Sequence, residues 1–192
     1  MNKENLQSIV EALIFVSEHP MTIKQMQSAM DDVSLSELKA ALDQIKQAYG
    51  VGSHGIYLES VGGGYQFRTK LDKASTIQKW AAAKPIRMTR AQLETLAIVA
   101  YKQPLTRIDV DGVRGVESTH ILKMLLDKKL IRILGVKEVP GRPLLYGTTP
   151  EFLEFFTLRG LDALPTLESL KELKSEEMPL FARDSLTQEE VT

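Results

Sequence analysis

Apolar residues recur at helical spacing in two separate stretches of the chain. Ile9, Ala12, Leu13 and Val16 share one stripe, and Leu93, Leu96, Ala97 and Ala100 share another. Each stretch ends in a polar pair and a proline, Pro20 or Pro104. Proline stops a helix because it lacks an amide donor and crowds the turn before it. A short helix follows, opened by "TIKQ" (22–25) or "TRID" (106–109). The threonine accepts from free amides, with a polar residue three positions on. After a turn ("DDVS", 31–34; "RGVES", 114–118) comes a third helix. Its apolar face is Leu38, Ala41, Leu42 and Ile45 in one case and Ile121, Leu122, Leu125 and Leu126 in the other. Ser34 and Glu37 form a capping box at the first of these, and Thr89 and Gln92 form one before the second stretch.

Strand patterns then replace helical ones. "GIYLESV" (55–61) and "YQFRTK" (65–70) flank three glycines, and Tyr65 and Phe67 alternate with Gln66 and Arg68 as a half-buried strand requires. "LIRILGV" (130–136) and "PLLYGTT" (143–149) flank "KEVPGR". Pro140-Gly141 suits the centre of a type II turn, since proline sets φ and glycine takes the positive φ that follows. The glycines here run into strands, whereas a phosphate cradle needs them to feed a helix. Further helical runs follow at 73–83 and 150–156.

The two successions are one pattern repeated. An offset of 84 residues, without gaps, pairs Pro20 with Pro104, Thr22 with Thr106 and Ser34 with Ser118, and "LKAALD" with "LKMLLD". Three helices and a β-hairpin make a winged helix-turn-helix. The expected fold is therefore α+β and mostly helical, with two tandem winged-helix domains: 1–83, a linker at 84–88, and 89–164.

Composition narrows the chemistry. The net charge of −1 over 192 residues argues against a polycationic nucleic-acid binder. Residues 165–192 carry seven carboxylates against three cations, a net of −4, so the remainder carries +3. A short helix at 166–175 and disorder beyond 176 are expected for this acidic tail. The absence of cysteine excludes disulfides and thiolate chemistry. His19, His54 and His120 lack metal-ligand spacing, and no Gly-x-Ser-x-Gly turn is present. No catalysis, cofactor or metal is expected. Neither a signal peptide nor an apolar run long enough to span a membrane is found, so the expected location is cytoplasmic.

Several blocks resemble the segregation and condensation protein B family, the ScpB subunits of bacterial SMC–kleisin complexes. The resemblance is carried by "ETLAIVAYKQPLTRIDVDGVRGV" (94–116), "LLDKKLIRILGVKEVPGRPLLYGTTPEFLEFF" (125–156), "GLDALP" (160–165), "EALIFVSEHPM" (11–21) and "GGGYQFRTK" (62–70). It implies a homodimer formed mainly through the N-terminal unit. It also implies that the C-terminal unit grips the kleisin ScpA and, through it, the SMC ATPase. The role implied is chromosome condensation and partition during cell division, with association to the nucleoid through the complex.

Three features are interface candidates. Leu6, Ile9, Val10, Leu13 and Ile14 cover more than one face of the first helix, which makes it either central to a core or shared with a second copy. Phe152 and Phe155 within "EFLEFF" either close the second core or line a groove, with core favoured. Tyr101, Arg114 and Tyr146, with Arg142 at the second wing, suit anchors for the kleisin or serve as packing and turn residues. The rival reading is a DNA-binding transcription regulator. Against it, Glu37, Lys39, Asp43 and Lys46 in the first third helix, and Glu117, Lys123, Asp127, Lys128 and Lys129 in the second, nearly balance. Arg68, Lys70, Lys84, Arg87, Arg90, Arg132, Lys137 and Arg142 leave room only for a weak, salt-sensitive DNA contact.

Overall fold

The computed structural model describes residues 3–30, 32–81 and 88–166. The expected linker, apart from Met88, and the expected tail from 167 onward lie outside these residues. The fold is α+β and mostly helical. Cα packing divides it into two units: residues up to 81 together with 156–162, and 88–155 together with 163–166.

The first unit contains α1 (Lys3–Val16), α2 (Ile23–Ser28), α3 (Leu35–Gly50), the strands β1 (Ile56–Val61) and β2 (Gly64–Thr69), and α4 (Ala74–Ala81). Capping boxes open α2 and α3: Thr22 accepts from the Gln25 amide, and Ser34 from the Glu37 amide. β1 and β2 pair antiparallel from Ile56↔Thr69 to Val61↔Gly64. Only Gly62 and Gly63 join them, with φ of +58° and +75°, the double positive φ of the tight turn whose twist matches a hairpin. The core is Leu6, Val10 and Ile14 of α1, Met26 of α2, Leu38, Ala41, Leu42 and Ile45 of α3, and Leu58 of β1. Residues 156–162 join this unit at the hairpin turn, where the Gly62 and Gly63 amides donate to Leu158 O and Arg159 O, both at 2.8 Å.

The second unit contains α5 (Arg90–Lys102), β3 (Leu105–Thr106), α6 (Arg107–Arg114), α7 (Thr119–Asp127), β4 (Ile131–Val136), β5 (Leu144–Thr148) and α8 (Pro150–Phe155). Capping boxes at Thr89/Gln92 and Thr106/Asp109 open α5 and α6. The sheet order is β3-β5-β4. The β4–β5 turn closes with the Arg142 amide donating to Val139 O at 2.8 Å, and Gly141 has φ +84°. That is the turn Pro140-Gly141 announces. Leu96, Val99, Leu122, Leu125, Ile131 and Phe152 are central to this core.

The α1 stripe read from the sequence requires correction. Val16 is 73% exposed and Ala12 is exposed, whereas Leu6, Val10 and Ile14 are buried. The cause is a two-residue difference between the repeats. Four residues (17–20) separate α1 from Met21, which bridges to Tyr65. Two residues (103–104) separate α5 from Leu105, which pairs with Tyr146. The offset of 84 holds from Thr22/Thr106 through Ser34/Ser118, both of which are N-caps. In the first helices the buried sets superpose at 86 instead: Leu6 with Gln92, Val10 with Leu96, Ile14 with Ala100.

Candidate functional site

In the second unit a cleft of about 350 Å³ opens between the start of α6 and the β4–β5 turn. Arg107 and Ile108 form one wall, Pro140, Gly141 and Pro143 the rim, and Leu144 and Tyr146 the other wall. The capping box places the α6 wall. The backbone amide and hydroxyl of Thr106 donate to Asp109 Oδ2 at 2.8 and 2.7 Å. These bonds, the backbone one foremost, hold the Asp109 carboxyl below the usual carboxylate range. Arg107 is held along α6 by Asp111 at 2.8 Å. Pairing to β3 and β4 fixes β5, and Gln103 Oε1 accepts the Thr148 amide at 2.8 Å. Tyr146 is thus buried on a strand held from three sides. Ile108, 64% exposed, and Leu144, 40% exposed, leave apolar area at the mouth. The rim and walls offer methyl, ring and backbone groups with one guanidinium. Such a surface suits an apolar side chain from a peptide rather than a small polar substrate.

The structure separates the other residues singled out for this unit. Arg142 sits at the turn beside the rim, 3.3 Å from Glu138. Tyr101 is half-buried, and its hydroxyl donates to Pro165 O at 2.6 Å. Burial raises the Tyr101 pKa above the usual tyrosine value. Arg114 donates to Ser118 Oγ at 3.2 Å across the α6–α7 turn, where the Ser118 amide also donates to Asp111 Oδ1 at 2.7 Å. Phe152 is in the core and Phe155 is half-buried. Of the six residues, Tyr146 lines the cleft and Arg142 adjoins it. The sequence reading passed over Ile108 and Leu144. Ile108 carried a signal: in "RIDVDGVR" it lies off the side that buries Val110.

The first unit has its own apolar surface. Leu6, Val10 and Ile14 are spent on its core, and Ile9 and Leu13 are half-buried at the margin. Phe15 and Val16 remain 75% and 73% exposed. Glu11 accepts from the Tyr49 hydroxyl, fixing α1 to α3 and raising the tyrosine pKa. Trp80, which the sequence reading did not single out, is 86% exposed on α4. Among the described residues no cluster of histidines and carboxylates could hold a metal, and no helix is long and apolar enough to cross a membrane.

The family model described as segregation and condensation complex subunit ScpB matches residues 8–167. A protein named segregation and condensation protein B from Syntrophotalea carbinolica is 44% identical over 186 residues, covering 96% of this chain and 94% of that one. The chain belongs to the segregation and condensation protein B family. A relative of the same name from Myxococcus xanthus is 39% identical over 184 residues, covering 96% of this chain and 56% of that longer protein. The crystal structure of ScpB from Mycobacterium tuberculosis is 30% identical, covering 81% of this chain and 97% of that one, with a TM-score of 0.40. The family match includes both the α1 surface and the cleft beside α6.

Proposed function

We propose that this chain is a non-catalytic adaptor subunit in chromosome segregation and condensation. In this reading it is a homodimer of tandem winged-helix units that binds the kleisin ScpA and, through it, the SMC ATPase. It acts in the cytoplasm on the nucleoid. Family membership across residues 8–167 is the observation that carries the reading. The helix–helix–helix–hairpin order of each unit supports the winged-helix assignment.

The surfaces suggest a division of labour. The cleft of α6 and β5 takes an apolar side chain of the kleisin, with Ile108, Leu144 and Tyr146 as its walls. The exposed end of α1, Phe15 and Val16 with Ile9 and Leu13 at its margin, meets a second copy. Leu6, Val10 and Ile14 support that surface from beneath, since the unit's own core holds them. The mechanism is architectural: buried apolar area fixes the shape of an ATPase-driven assembly.

The test is recovery of a tagged chain from its native host in about 0.5 M salt, where screening shrinks to roughly 4 Å and exposed ion pairs contribute little. Near-stoichiometric recovery of a kleisin and an SMC ATPase, identified by mass spectrometry, is the expected result. Their absence would overturn the reading.

A further inference from the structure

Charge in the second unit is unevenly neutralised. Arg90 pairs with Glu94 at 3.1 Å, Arg107 with Asp111 at 2.8 Å and Arg142 with Glu138 at 3.3 Å. Lys123, Lys128, Lys129 and Arg132 are also exposed, yet none has an ion-pair partner among the described residues; the same holds of Lys102 and Lys137, which stand singly in the chain. These four cations fall within ten residues, from the last turns of α7 into β4. The carboxylates nearest in the chain are Asp127 within the run, Glu117, which accepts from the Thr119 hydroxyl at 2.9 Å, and Glu138, which pairs with Arg142; Glu151 lies farther on, in the first turn of α8. α8 begins beside this turn, where Thr149 Oγ1 donates to Lys129 O at 2.6 Å.

The backbone gives a second observation. Lys129 has φ +57°, the left-handed region that favours glycine. Its amide donates to Leu126 O at 2.8 Å, and the Leu130 amide donates to Leu125 O at 3.0 Å. These two bonds form the helix-terminating motif in which glycine is the usual occupant of the left-handed position. The helix dipole favours a cation in the last turn, but Lys128, the C-cap, already meets that demand. A lysine at 129 works against the backbone and adds charge where charge is already concentrated. Asp32, Arg142 and Thr157 also have positive φ, and Lys129 is the one of the four that falls within the cation run.

We propose that Lys123, Lys128, Lys129 and Arg132 form a contact site for the phosphate backbone of duplex nucleic acid. Exposed cations close along the chain, on α7, the turn that ends it and the start of β4, suit a repeating array of phosphates, whose attraction is long-ranged and tolerant of geometry. A protein partner would call for fixed anchors in a pocket. The site reads no bases. It shares no residue with the lining of the α6 cleft and does not depend on the adaptor reading.

The experiment is fluorescence anisotropy of a labelled duplex of arbitrary sequence, titrated with the full chain. Binding is expected at about 50 mM salt, falling with a log–log slope of about −3 to −4, as four neutralised phosphates require. The variant Lys128→Glu/Lys129→Glu/Arg132→Glu should weaken binding at least ten-fold and flatten the slope by about 2 to 3. The control Lys39→Glu/Lys46→Glu, on α3, should bind as wild type. Lys129→Gly should bind more weakly while melting at a higher temperature, a combination that a purely structural lysine would not give. Three results would each overturn the proposal: no binding at 50 mM salt, undiminished binding by the folded triple variant, or loss of a co-purifying acidic protein with duplex binding unchanged.

Discussion

At single residues, the cost or benefit of a side chain follows from the backbone it sits on. Lys129 occupies a left-handed position in a helix-terminating motif whose partners, Leu125 and Leu130, are buried. Lys129→Gly should therefore stabilise the protein by about 0.5–1 kcal/mol, read as an increase in chemical-denaturation midpoint. Gly64 is the opposite case. A Cβ there would lie 2.8 Å from the backbone carbons of both Pro20 and Met21. Backbone cannot swing aside as a side chain does, so Gly64→Ala should cost about 1–3 kcal/mol and weaken the Met21–Tyr65 bridge. Asp109 sets a pH dependence. Its folded pKa is depressed, so its contribution is present above the unfolded value of about 4 and is lost as pH falls through the folded value. Thermal melts between pH 7 and pH 2.5 should show Asp109→Ala less stable than wild type at neutral pH, with the difference closing in acid.

Among elements, chain terminations were more legible than packing faces. Thr22, Ser34, Thr89 and Thr106 each announce a helix start, because a cap is a local transaction between a side chain and amides within three residues. Pro140-Gly141 announces its turn for the same reason. The buried face of α1 was not legible in this way. Its apolar residues extend around much of the helix, and a two-residue difference before Met21 shifts the face relative to the second repeat. Only packing against α3 shows that Leu6, Val10 and Ile14 turn inward. Phe15 and Val16 were thereby freed for another surface. Phe15→Glu should leave the melting temperature within a few degrees of wild type and, in sedimentation equilibrium, lose the proposed dimer that the wild type is expected to show. The α6 cleft was legible only in part. Tyr146 was visible as a strand aromatic, but Ile108 becomes a cleft wall only when the β4–β5 turn is brought to α6.

The whole molecule combines two cores with exposed apolar residues at places those cores do not need. Its family could be read from long blocks of sequence, and the match over residues 8–167 bears that out. Neither the charge balance nor the repeat says which faces meet partners, because an exposed isoleucine and a buried one look alike in sequence. The central claim is that the second unit holds a kleisin by apolar burial in the α6 cleft. Its most direct test compares wild type with Ile108→Glu/Leu144→Glu, both tagged, expressed in the native host and recovered in about 0.5 M salt. Both substitutions are at exposed positions, so circular dichroism should find the variant folded. The predicted result is stoichiometric kleisin with wild type and at least a ten-fold loss with the variant, as expected for removing anchors worth about 2 kcal/mol. Equal kleisin recovery by both proteins would contradict the claim.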